Sequence, residues 1–273
     1  FTFFSASMWV GQQLADGLDF WGFLGSLILG GIILGIYTGL LGYVGAKTGL
    51  SLDLLSQRAF GEKGSYLPSA MTSFTQIGWF GVGSFVSGGT ATPNFARFAK
   101  NGKSGAITTV VAFFIGNSLM FFFGAVSSIF VGGNDIFEVM VRLNLFYLAV
   151  LVLGLNIWTT NDNALYTAGL GLANIFHQRK KPMVLLSGII GTVASVWLYY
   201  NFCGWLNILN CTLPPVGMIL VLAYFMNKED FEADQPKLKT VDWFAVAGVI
   251  LGAIVVNLLH WGIASINGMV VAA

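Results

Sequence analysis

LNIWTTNDN, residues 155–163, sets the terms for the whole chain, because six of its nine side chains are Asn, Thr or Asp and both flanks are apolar. Asn156, Thr159, Thr160 and Asn163 recur at i, i+3, i+4 and i+7, which is one face of a helix. A helix in such surroundings belongs in a bilayer, where polar side chains are costly and mark ion or solute sites by default. The face carries amides and hydroxyls and no charge. It fits a place where a small cation or a polar solute is held, and it fits equally the Asn and Thr glue that packs one membrane helix on another.

The composition points the same way. Of 273 residues, 56% are hydrophobic and 9% charged, with a mean hydropathy of +0.77. An ordinary soluble domain is about a quarter charged. The apolar runs are long and continuous, unlike the roughly ten-residue alternation of a membrane barrel. The expected fold is an all-α membrane protein. A net charge of +1 carries no nucleic-acid signal, and Cys203 and Cys211 read as packed thiols, not a disulfide framework or zinc site. With no HExxH and no GxSxG, nothing supports an enzyme. The chain opens on Phe1, already apolar and without a signal-peptide pattern, so a missing start is expected.

Residues 1–10 are too short to span and read as half a helix ending near Asp16 and Asp19. Residues 20–43 are a full span with a small-residue ridge at Gly31, Gly35 and Gly39. Lys47, Arg58 and Lys63 then place a loop in the cytoplasm by the positive-inside rule. Residues 68–95 are anomalous. A second basic loop, Arg97, Lys100 and Lys103, follows them; two crossings need about 40 residues and 28 are present. The segment is a re-entrant hairpin, an upset topology, or the join left by missing helices. Further spans are expected over residues 107–131, 143–176, 184–200, 205–226 and 243–259, with residues 263–273 a short last helix and a total of about seven full spans. Arg142, on the outer side, is expected to snorkel. Pro214-Pro215 is expected to break or kink its helix.

Two more polar groups lie at membrane depth. In TQIGWFG, residues 75–81, Gln76 and Trp79 share a helical face, an amide beside an aromatic, suited to a planar heterocycle. In GSFVSGGT, residues 83–90, glycines around Phe85 and Ser87 suggest unwound backbone lining a cavity. Either group is equally compatible with plain helix packing. Asp162, the acidic residue deep in a span, is a proton-coupling candidate, or it caps or hydrogen-bonds a neighbouring helix or faces the inner vestibule; Asn117 reads as interhelical glue; His177 and His260 sit at span ends.

TFFSASMW (2–9), GYVGAKTGL (42–50), TQIGWFG (75–81), GLNIWTTNDNALY (154–166) and PPVG (214–217) together resemble the bacterial cytosine permeases of the nucleobase–cation symporter family. The resemblance implies a twelve-helix transporter whose first ten helices form two inverted five-helix repeats, with solute and ion held at broken half-helices. It implies that Trp79 and Phe85 sandwich cytosine and that Gln76, Ser87 and Asn156 bond its edge. Sodium would be held by carbonyls near Phe3 and of Asn156 and by the hydroxyls of Thr159 and Thr160, hard oxygen ligands for a hard cation. On that pattern residues 1–83 are part of the first repeat, 84–227 the second repeat from its broken helix onward, and 228–273 helix eleven with part of helix twelve. Between Gly83 and Ser84 about ninety residues, roughly three spans' worth, are lacking. The implied function is sodium-coupled cytosine uptake at the inner membrane by a monomer. A proton-coupled carrier and a non-transporting remnant are the alternatives.

Overall fold

A computed structural model describes residues 8, 11, 18–82, 90–132, 136–234, 236, 238–258 and 263–273, and the regular elements among them are helices. Helix α1, Phe20–Thr48, begins where Asp19 in extended backbone accepts a 3.1 Å hydrogen bond from the Gly22 N–H, and it ends at Gly49 with φ 70°. Asp19 therefore opens this helix; Asp16, at the expected end of the preceding one, lies outside the described residues. A short α2, Leu52–Phe60, is capped by Ser51. Helix α3 is Tyr66–Val82. Helix α4, Gly102–Val131, is α-helical apart from a π turn at Val111–Gly116. There follow α5 (Ile136–Arg142), α6 (Phe146–Phe176), α7 (Lys180–Tyr200), α8 (Phe202–Met226), α9 (Trp243–Leu258) and α10 (Ala264–Ala272). Among the described residues, α1, α4, Lys180–Leu198 of α7 and Asn207–Met226 of α8 are long and apolar enough to cross a bilayer, and α9 is a shorter apolar helix.

In lipid, helices gain little by hiding apolar surface from one another, so small residues that permit close backbone approach decide the pairing. The glycine ridge of α1 does this against α4. A methyl group at Gly31 would lie 2.9 Å from the Phe114 ring, at Gly39 2.7 Å from Val110 Cγ2, and at Gly42 2.5 Å from Thr109 Oγ1. The other side of α1 exposes Ile28, Leu29, Ile32 and Ile36, as a lipid-facing surface should.

Helix α8 packs on α1, α2, α3, α9 and α10, and the largest core gathers Leu41, Val44, Leu55, Phe60, Val216, Leu220 and Tyr224 around it. Pro214 and Pro215 stand inside α8, which runs through both without a break. Neighbours close on this part of the helix. Tyr37 fits against the bare Cα of Gly217, and Gly252 and Gly268 admit the Pro215 ring. Arg142 has an ion-pair partner within its own helix. One turn away on α5, Glu138 takes its Nη2 at 2.6 Å, the i,i+4 spacing that favours an ion pair.

The anomalous stretch has a geometric account. Helix α3 leads away from the end of the molecule where α2 lies. By Asn94 the chain is back there, because Asn94 Oδ1 accepts the Leu52 N–H at 2.8 Å and Arg97 donates to the Tyr166 hydroxyl. The loops on either side of this stretch thus meet at one end, and both can be basic. The Gly83–Ser84 join lies in residues 83–89, outside the described residues.

Gly42→Leu should push α1 off α4 at a cost of about 1–3 kcal/mol. Gly30→Ala, with no atom within 4 Å of the added carbon, should change stability by less than about 0.5 kcal/mol. Thermal unfolding of the detergent-solubilised protein, followed by near-ultraviolet circular dichroism, checks both.

Candidate functional site

The motif-bearing helices α3 and α6 lie antiparallel. Ser73 Oγ on α3 donates to the Ala168 carbonyl on α6 at 3.1 Å, and Asn174 Nδ2 donates to Ser69 Oγ at 2.9 Å and Ser65 Oγ at 3.1 Å. Gly171 makes the approach possible, since a methyl group there would strike Ser73 Oγ and come 2.8 Å from the Ser69 carbonyl. Ser65, Ser69 and Ser73 recur every fourth residue and form a hydroxyl stripe down α3 that leads to Gln76.

This register carries Gln76 level with residues 164–167 of α6, and Asn156 lies about 12–15 Å of helix rise further along. Gln76 and Asn156 are both buried, at 6% exposure each. Thr160 is half-buried and lies one turn from Asn156 on the same helix. The rest of the expected face turns outward: Asn163 is exposed, and so is Asp162. The buried side of α6 instead runs from Asn156 through Ala164, Thr167 and Ala168, so Asn163 falls off it. Asp162 is exposed and lies within α6, which continues to Phe176.

Of the other expected site residues, Phe3, Phe85 and Ser87 lie outside the described residues, and the side chains of Trp79 and Thr159 lie outside the described part of their helices. Cys211 is a buried free thiol, as expected, and His177 Nε2 shares a 2.6 Å hydrogen bond with the Tyr66 hydroxyl. Asn117 is buried directly after the π turn of α4, and its Oδ1 has no partner among the described residues.

A second polar cluster, absent from the sequence reading, occupies the α2 end of the α3–α6 pair. Ser69 Oγ donates to Asp53 Oδ1 at 2.6 Å, and Gln57 Nε2 donates to Asn174 Oδ1 at 2.6 Å. Lys180 stands 3.6 Å from the Tyr166 ring centroid. The serine stripe and Asn174 were its only sequence signal.

An all-α protein with several membrane-length helices and a paired-helix core holding buried amides is the architecture of a transporter. The family model for a permease for cytosine/purines, uracil, thiamine and allantoin matches residues 2–91 and 82–272. The chain belongs to this permease family, and it is a multi-pass membrane transporter, not an enzyme. It is 37% identical to the cytosine permease of Escherichia coli K12 over 361 residues, covering 98% of this chain and 85% of that protein. It is 34% identical to the allantoin permease of Bacillus subtilis over 82 residues, 30% of this chain and 16% of that one. The two family segments overlap around Gly83–Ser84, and the 361-residue alignment is longer than the 273-residue chain. The relative therefore has a block of residues with no counterpart here.

Removing the Asn174 amide leaves Ser65, Ser69 and Gln57 short of partners. Asn174→Ala should lower stability by about 1–3 kcal/mol, against less than about 0.5 kcal/mol for the exposed Asp162→Ala, by denaturant titration in mixed micelles.

Proposed function

We propose that this chain carries cytosine across the inner membrane, coupled to sodium, by alternating access of a monomer with two inverted five-helix repeats. The observation that carries the proposal is the burial of Gln76 and Asn156 on a close-packed antiparallel helix pair in a member of this family. Buried amides left without a matching donor and acceptor pattern are costly, so a site built of them rejects the wrong base by its unpaired groups. Trp79 and Phe85 would flank the ring, and Ser87 would complete the hydrogen bonds to its edge. The name of the Escherichia coli relative supports cytosine over the other family solutes.

For the ion, Asn156 and Thr160 supply oxygen from adjacent turns of α6, and the Thr159 hydroxyl and a carbonyl near Phe3 would complete the set. Oxygen ligands of this kind suit sodium. Asn156 would touch both solutes, so each would raise the affinity for the other by the same factor. Two departures support rival readings. The block missing at Gly83–Ser84 favours a remnant that binds without transporting, because it removes part of the first repeat. A buried carboxylate at Asp53 favours proton coupling.

Uptake of radiolabelled cytosine into proteoliposomes should require an inward sodium gradient and fall at least about tenfold in Asn156→Ala, the effect of about 1.4 kcal/mol. Saturable binding with no uptake would mean a remnant. Uptake that follows a proton gradient and ignores sodium would reject the ion assignment.

A further inference from the structure

Asp53 is 5% exposed, wedged where α2, α3 and α6 meet. Its Oδ1 takes the Ser69 hydroxyl at 2.6 Å; Ser69 takes the Asn174 amide, and Asn174 takes the Gln57 amide. The bare Cα of Gly171 closes this pocket from α6, where an added methyl group would stand 3.5 Å from Asp53 Oδ1. Separating α6 from α3 at this end would open the carboxyl to water. A carboxyl group confined in this way prefers its neutral form, whereas the same group in water ionises freely. Burial pushes the Asp53 pKa up to about 6, against the opposing pull of the Ser69 hydrogen bond and the Arg97 charge.

Asp53 is a buried carboxyl among charged and polar groups that have partners of their own. Arg97 acts on it and is shared with the Tyr166 hydroxyl on α6. Lys180 of α7 covers the Tyr166 ring. Arg58, on α2 itself, turns away to the Asp230 and Phe231 carbonyls. Tyr66 of α3 is held by His177. On the α8 and α9 side, Glu232 engages Tyr224 and Lys47, and Asp242 engages Lys239.

The geometry points to Asp53 as a proton-binding site that closes with the molecule: packing α6 onto α2 and α3 takes one proton from water onto the Asp53 carboxylate, and opening that end returns it. The sign follows from linkage. The closed form holds its proton up to a higher pH than the open form, so acid favours closure, and closure weakens as pH rises through about 6. The inference concerns the helix pair alone and rests on neither the solute nor the ion assigned above.

Hydrogen–deuterium exchange of α6 peptides covering residues 165–176, on the full chain in nanodiscs and corrected for intrinsic rates, tests it between pH 5 and pH 8. Wild-type protection should fall as pH rises, by about tenfold between pH 5 and pH 8, the part of the linkage between a closed form titrating near 6 and an open form near the ordinary carboxylate value that this window covers. Asp53→Asn, permanently neutral, should stay protected throughout. His177→Gln and the exposed Asp162→Asn should keep the wild-type response. Ser69→Ala, which retains the carboxyl but loses the donor that favours its charge, should shift the midpoint upward, and it serves if the Asn variant does not fold. Equal wild-type protection at both pH values, a pH response that survives in Asp53→Asn, one abolished in His177→Gln, or an unmoved midpoint in Ser69→Ala would each overturn the proposal.

Discussion

The close antiparallel contact of α3 with α6 is the constraint on which the rest depends. It is made by polar groups and a missing side chain. Ser73 bonds the Ala168 carbonyl, Asn174 bridges two serines, and Gly171 lets the backbones approach. In lipid such contacts do the work that apolar burial does in water. They also fix the register that sets Gln76, Thr160 and Asn156 along one interface. The α1–α4 pair follows the same rule by a different route, with glycines at four-residue intervals against Phe114 and Val110. Helix α8 joins the two pairs.

What a sequence reveals here depends on the reach of the interaction. The glycine ridge of α1 is local and periodic, and its partner surface had only to exist. The helices were likewise legible from uninterrupted apolar runs, and family membership from motifs spread over the chain. Burial of Asp53 was not legible. Asp53 follows a basic segment and opens a short polar helix, so its neighbours in sequence predict a solvated loop. Only α3 and α6, arriving from elsewhere in the chain, take it out of water. Asp162 is the opposite case. Its sequence neighbours are those of a span, yet among the described residues its side chain is exposed. At Pro214-Pro215 the local rule predicts a break or a kink; the helix runs through both without a break, with Tyr37, Gly252 and Gly268 packed close by.

The two candidate clusters lie on one unbroken helix. Asn156 near one end and Asn174 near the other are about 27 Å of helix rise apart, and α6 is α-helical throughout Phe146–Phe176. α6 carries neither a proline nor a π turn, two of the usual sites at which a helix bends. A tilt of α6 that loosens Asn174 from Ser65 and Ser69 would also move Asn156 and Thr160. Coupling needs an element with two arrangements that both sites bias. A rigid helix pinned at one end by a titratable cluster and carrying buried amides at the other supplies that element without any further chain of contacts.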